Sequence, residues 1–254
     1  MSNGRLCLTL LLTLCGGALM LKSPGVVVRA GDQDDPAVRV SSERLERLDA
    51  RVAKINDLTA DFIERKYTTL LKKPLVSSGR IRVRGDIARW DTIKPYKTVM
   101  LVGRGEVRIY YPDRRVEEVF QLGERLGQLA MSPLPRLAAL REHFDMTPIP
   151  PNEIDANASE RHHLALRLRP KAQSLREHVN EIRVLIDETT ACVVKIAMDD
   201  PTGDRTVIEF SHVKTNTGLE DRDVSLTVPP GTKTTRPLET FGGSQDALEE
   251  AETP

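Results

Sequence analysis

A chain of 254 residues with 39% hydrophobic and 29% charged content has the make-up of an ordinary water-soluble protein, which excludes a helical membrane bundle and a disordered chain. The length allows one domain of the larger all-β or α/β kind, or two small ones. Basic and acidic residues balance at 37 each, so no overall positive field invites nucleic acid, and aromatic residues at 4% make any core aliphatic.

The N-terminus is set apart from the rest. After Arg5 comes an apolar run from Leu6 to Leu21, which has the character of a secretory h-region and falls short of the roughly 20 residues a membrane-spanning helix needs. Val28-Arg29-Ala30 puts small residues three before and one before a cut ahead of Gly31. This predicts a signal peptide over residues 1–30 and export of the remainder. An uncleaved anchor and a lipid on Cys15 are the alternatives, although Leu14 is bulkier than lipoprotein cleavage sites prefer. Removing residues 1–30 takes away Arg5, Lys22 and Arg29 and no acidic residue, so the remainder is slightly acidic. Cys7 and Cys15 leave with the signal. Cys192, in the strand-like run ACVVKIAM, then stands alone and reads as a small buried hydrophobe.

Between residues 36 and 66, Leu45, Leu48, Val52, Ile55, Leu58 and Phe62 recur at helical spacing, with Ser41 or Ser42 placed to cap a first turn. The spacing predicts an amphipathic helix that breaks near Asn56-Asp57, after which a strand is the expectation. From residue 76 the period changes to two. SSGRIRVRG, DIARWDTI, YKTVMLVG, EVRIYYP and RRVEEVF are short, alternating and separated by turn residues, as in an antiparallel meander.

Gly85-Asp86 reads as a two-residue hairpin turn with glycine first, as a type II′ turn prefers. Folding at that turn pairs Arg84 with Ile87, Val83 with Ala88, Arg82 with Arg89, Ile81 with Trp90 and Arg80 with Asp91. Because opposed residues share a face, Ile81, Val83, Ala88 and Trp90 form an apolar side, and Arg80, Arg82, Arg84 and Arg89 a wet one.

Residues 122–146 interrupt the alternation with two short amphipathic pieces split at Ser132-Pro133. Leu134, Leu137, Leu140 and Phe144 mark the second apolar face. Alternation returns in HHLALRLRP, NEIRVLID, ACVVKIAMDD, RTVIEFSHV and DVSLTVPP. Residues 233–254 read as a disordered acidic tail. The sum is about ten strands, few helices and one domain over residues 31–232, and a sheet that long must close, split or curl.

No constellation suggests catalysis. The five histidines are scattered and none pairs at zinc-ligand spacing. Asp199, Asp200 and Asp204 around Pro201 and Gly203 fit a hairpin turn better than a calcium loop. GRGE at Gly103 to Glu106 follows a strand without opening a helix, which argues against a phosphate cradle, and no serine or cysteine has a nucleophile's context. No enzyme, no metal and no cofactor is the expectation.

INDLTADFIERKYTTL, then SSGRIRVRGDIARWDTIKP, then a glycine turn leading to VRIYYPDRRVEEV, occur in an order that resembles the outer-membrane lipoprotein carrier (LolA) family and related lipoprotein-sorting proteins. The stretch IRVLIDETTACVVKIAMDDPTGDRTVIEFSHVKTNTGLEDRDVSLTVPPG is similar to that family's final sheet, with Asp200, Gly203, Thr206, Phe210, Asn216, Leu219, Pro230 and Gly231 at familiar spacings. The resemblance implies a mainly β fold: a curled antiparallel sheet forming an unclosed half-barrel, with an N-terminal helix and a helical lid insert. It implies a periplasmic, monomeric carrier that takes the acyl chains of lipoproteins or related lipids into an apolar cavity. An inner-membrane ABC transporter would supply the cargo and an outer-membrane acceptor receive it.

The cavity would be lined by Ile81, Val83, Trp90, Leu101 and Ile109 and covered by Leu137 and Leu140. Relatives have an inward arginine before a proline that holds the lid shut. Counted back from Trp90, that arginine is Arg84, with Gly85 where the proline stands, and the hairpin register puts Arg84 on the face away from Trp90. The alternative is a non-transporting lipid-sensing or regulatory module on the same fold.

Overall fold

The computed structural model describes residues 36–121, 133–134 and 137–236. By internal contacts the chain divides into one unit up to Arg39 and another from Val40 onward. Of the first, the described part is the opening of helix α1 (Pro36–Val52). The helix begins at Pro36, whose missing N–H is no loss in the first turn, so Ser41 and Ser42 fall within it and not at its start. The expected signal peptide lies outside the described residues.

The second unit is built on one twelve-stranded sheet: β1 (Asp57–Tyr67), β2 (Leu75–Arg84), β3 (Ile87–Lys94), β4 (Thr98–Gly103), β5 (Glu106–Tyr111), β6 (Val116–Gln121), β7 (Phe144–Ile149), β8 (His163–Pro170), β9 (Glu181–Asp187), β10 (Cys192–Asp199), β11 (Arg205–Thr215) and β12 (Lys233–Thr235). The spatial order is β12-β6-β5-β4-β3-β2-β1-β11-β10-β9-β8-β7. Every pairing is antiparallel except that of β12 with β6, and the edge strands β7 and β12 do not pair with each other. The sheet is therefore an unclosed half-barrel. The described residues also include the short helices α2 (Leu137–His143) and α3 (Gln173–Arg176).

The β2–β3 hairpin has the expected register, with Arg84 opposite Ile87 through to Arg80 opposite Asp91. Gly85 takes a φ of +59°, which its lack of a Cβ makes inexpensive. Gly79 has a different constraint. The β2–β3 ladder bulges between Ser78 and Gly79, and a Cβ on Gly79 would sit 2.0 Å from the Asp91 carbonyl oxygen.

Three expectations need correction. DVSLTVPP is not a strand: Asp221–Val224 is a 3-10 turn and the residues after it lie outside the sheet. Val224 is nonetheless 2% exposed, because this segment straps the sheet's outer face, and one covered side is enough to produce alternation. Lys233–Thr235 joins the sheet as β12 and so does not belong to the expected tail, whose remainder beyond Arg236 lies outside the described residues. β7 begins at Phe144, where the spacing predicts the end of a helix. The expected first helical piece of the insert, over residues 122–132, lies outside the described residues.

The core sits on one face of the sheet. Leu58, Ala60, Phe62, Ile81, Val83, Ala88, Trp90, Phe210 and the inward residues of β8, β9 and β10 form one cluster with Leu45 and Leu48 of α1 and Leu137 of α2. A smaller cluster of Ile149, Ala165 and Leu185 lies apart from it.

Candidate functional site

The inner face of β1–β3 carries a contiguous apolar patch. Leu58 pairs with Val83 and Ala60 with Ile81 across β1–β2, and Ile81 pairs with Trp90 across β2–β3. Alternation at period two puts all of these side chains on one side. Trp90 lies edge-on to Phe62, with ring centroids 4.7 Å apart, and tilted against Phe210 at 5.9 Å. Such geometry adds to the area buried by each ring. The Trp90 indole Nε1–H is buried and has no hydrogen-bond partner among the described residues. A buried donor left unpaired is costly, so this is a point of unused polar capacity within an aliphatic surround.

Helices cover this face where a closed barrel would have strands. Leu45 and Leu48 of α1 and Leu134, Leu137 and Phe144 around α2 pack on it, with Leu140 partly buried alongside. Helix α1 is held by its polar side. The Arg44 guanidinium donates through Nε to Glu188 Oε1 at 2.6 Å and through Nη2 to the other carboxylate oxygen and to the carbonyls of Glu160 and His163, at 2.8 and 3.0 Å. Arg51 donates to the carbonyls of Glu188 and Thr189. Around α2, the Val193 N–H donates to the Pro133 carbonyl at 2.8 Å, and Lys171 reaches the Arg141 carbonyl at 2.6 Å. The two helices meet at Asp49. Burial pushes its carboxyl up, partly offset by the Arg141 charge and the Leu137 N–H.

Asp57 ties the start of β1 to the residues after β11. It is 5% exposed, and its carboxylate accepts from the Thr217 N–H and Oγ1, both at 2.7 Å, and from the Gly218 N–H at 3.0 Å. Burial pushes this carboxyl up, but those hydrogen bonds outweigh it and hold the group below its ordinary range.

Of the expected cavity residues, the structure brings Ile81, Val83, Trp90 and Leu137 into one cluster, all at 4% exposure or less, with Leu140 against it. Ile109 pairs with Met100, which pairs with Trp90, so it shares their face farther along the sheet and is half-buried. Leu101 does not belong with them. It pairs with Arg89 and Arg108 on the outer face, where it lines a cavity of about 340 Å³ with Ile87, Arg108, Val224 and Leu226. Arg84, the latch candidate, is likewise outward and pairs with Asp221 of the strap.

The other hairpin arginines form an ion-pair face, exposed at Arg80 with Asp61 (3.1 Å) and half-buried at Arg89 and Arg82 with Asp91, where Arg89 also donates to the Ser225 carbonyl of the strap. Phe62 and Phe210, which frame Trp90, were missed as site residues. Leu58-Ala60-Phe62 and Ile208-Phe210 carry the period-two signal that identifies them.

Cys192 is fully buried and burial pushes its thiol to about 11, so it is an inert packing group. Asp200 caps the β10–β11 turn, its Oδ1 accepting from the Thr202 and Asp204 N–H groups at 2.9 and 3.0 Å. Among the described residues no cluster of His, Cys, Asp and Glu suits a metal ion, and no helix is long and apolar enough to cross a membrane.

No family model matches the sequence, and no curated protein does. Solved structures similar in fold include an uncharacterized conserved protein from Thermus thermophilus, at 10% identity and a TM-score of 0.48 over 78% of this chain and 99% of that one. A LolA superfamily protein from Nitrosomonas europaea matches at 11% identity and a TM-score of 0.39, over 73% of this chain and 97% of that one. A putative outer-membrane lipoprotein-sorting protein domain from Vibrio parahaemolyticus matches at 13% and 0.41, over 72% and 95%.

Proposed function

We propose that this protein is a periplasmic carrier that binds the acyl chains of lipoproteins, or of related lipids, between the inner face of its half-barrel and the helices that cover it. The observation that carries this reading is the unclosed sheet whose apolar face, centred on Trp90, is covered among the described residues by the helices α1 and α2. A strand in that position would be fixed by a full ladder of backbone hydrogen bonds, whereas the helices are tied at a few points, α1 by Arg44 and Arg51 and the α2 region by Val193 and Lys171, and can give way to another apolar occupant. Removing a methylene from water is worth about 0.8 kcal/mol, so two or three acyl chains supply ample driving force. The cover offsets much of that gain, which keeps binding reversible.

The unpaired Trp90 indole N–H suits a polar atom at the head of an acyl chain, such as an ester or amide carbonyl. The reading assigns the protein no catalytic step. Its partners would be an inner-membrane transporter that loads it and an outer-membrane acceptor.

Native mass spectrometry of protein recovered from the periplasm tests the reading. A lipidated protein or free lipid released on activation is the expected result. Protein that arrives empty after gentle extraction, and gains no mass on incubation with lipopeptides, contradicts it.

A further inference from the structure

One end of the sheet has an unusual surface. Every large hydrophobic side chain exposed among the described residues falls in residues 63–76 or 93–96. Both stretches lie at the same end: the β1–β2 connection opens beyond the Lys66 and Leu75 pair, and Ser78 opposite Lys94 places the end of β3 beside the start of β2. Leu70 is 83% exposed and Tyr96 75%, on neighbouring loops, with Leu71, Leu75 and Ile93 also exposed. Side chains of this size so far into solvent, and gathered in one place, mark an interaction surface.

The two loops themselves carry charge of one sign, and the neighbouring β10–β11 turn adds Asp204, which accepts from the Thr69 N–H at 3.3 Å. No acidic residue lies between Glu64 and Asp86, nor between Asp91 and Glu106, while Lys72, Lys73, Lys94 and Lys97 are interleaved with the apolar residues. Lys66 is paired, with Asp204 at 3.8 Å. The other four lysines are exposed and make no ion pair among the described residues. An acidic protein groove would meet the lysines but leave Leu70 and Tyr96 needing fitted pockets. An anionic bilayer takes both without fitting: lysines reach the phosphates, leucines enter the acyl boundary, and a tyrosine ring sits at headgroup depth.

We propose that the β1–β2 and β3–β4 loops together form a reversible docking site for the surface of an anionic phospholipid membrane. The inference is independent of the carrier reading, since a protein that sensed lipid without moving it would use the same surface.

Hydrogen exchange of the full chain with and without vesicles tests this with residue-level location, so that binding by the apolar N-terminal run is told apart. With vesicles containing phosphatidylglycerol, residues 66–76 and 92–98 should gain protection, and raising the salt from about 0.05 to about 0.5 M should remove most of it. With phosphatidylcholine alone, protection there should be at least tenfold weaker in apparent affinity. Leu70→Ser with Leu71→Ser, and separately Lys72→Glu with Lys73→Glu, should each weaken it at least tenfold, and the melting temperature should hold because these side chains are exposed. Vesicle association without protection of the two segments overturns the proposal. So does equal protection by both vesicle types, the absence of association, or double variants that behave like the parent.

Discussion

Leu137 is the residue whose replacement separates a movable cover from an ordinary core helix. It is fully buried, at 0% exposure, against the inner face. Leu137→Ala removes the transfer energy of the lost atoms and leaves a cavity, together about 2–5 kcal/mol. If α2 and the sheet open as separate units, that loss falls on the closed state of the cover alone. At about 1.4 kcal/mol per tenfold, a loss near 3 kcal/mol raises the open fraction roughly a hundredfold. Acyl-chain affinity then rises by up to the same factor while the closed form still dominates. The assay pairs lipopeptide titration with hydrogen exchange. Amides of Leu137–His143 should exchange faster while those of β2 and β3 keep their protection. Leu140→Ala should do the same more weakly, because Leu140 is only partly buried. Equal loss of protection in α2 and in the sheet, with affinity unchanged or lower, would refute the idea that the cover moves.

Asp57 is held ionised by Thr217 and Gly218, so its folded pKa lies below its unfolded one. Its contribution is full above about pH 4, the unfolded value, and is lost as pH falls through the lower folded value; melting curves of Asp57→Asn should accordingly fall less steeply with acid than those of the parent. Gly79→Ala places a methyl 2.0 Å from the Asp91 carbonyl oxygen, and urea denaturation should show a loss of about 1–3 kcal/mol, with unchanged stability ruling out the close approach. Arg84 and Asp221 form an exposed pair, so Arg84→Ala should cost less than about 1 kcal/mol and leave lipopeptide affinity as it was; a marked rise in affinity would restore Arg84 as a latch.

How far the sequence could be read depended on what each signal physically reports. The β2–β3 register followed from Gly85-Asp86, since a two-residue turn leaves one way to pair the arms. That register already placed Arg84 on the outer face, where the structure has it. Alternation, by contrast, reports that one side of an extended segment is covered and does not report that its backbone is paired. The residues after Asp221 alternate because Val224 and Leu226 face the sheet, yet they join no ladder.

Leu101 was misplaced for the opposite reason. TVMLVG is apolar on both sides because that part of the sheet is covered on both, by the core within and the strap outside, so period two carried no direction. β7 follows α2 without a turn residue and contains Pro148, which edge strands tolerate and central ones do not. β12 is three polar residues that become a strand only by pairing with β6.

Trp90 allows the central claim to be tested at one atom group, because it is the only tryptophan in the chain and lies 4% exposed on the inner face. The measurement is a titration with long-chain lipopeptides whose acyl chains carry bromine at defined depths, following Trp90 emission. A carrier should show saturable quenching that depends on bromine position, is absent with the unbrominated chain, and changes little between low and high salt, because desolvation drives it. Emission that ignores the brominated chains at every concentration would mean that Trp90 sits in a permanently closed core and that the inner face receives no lipid.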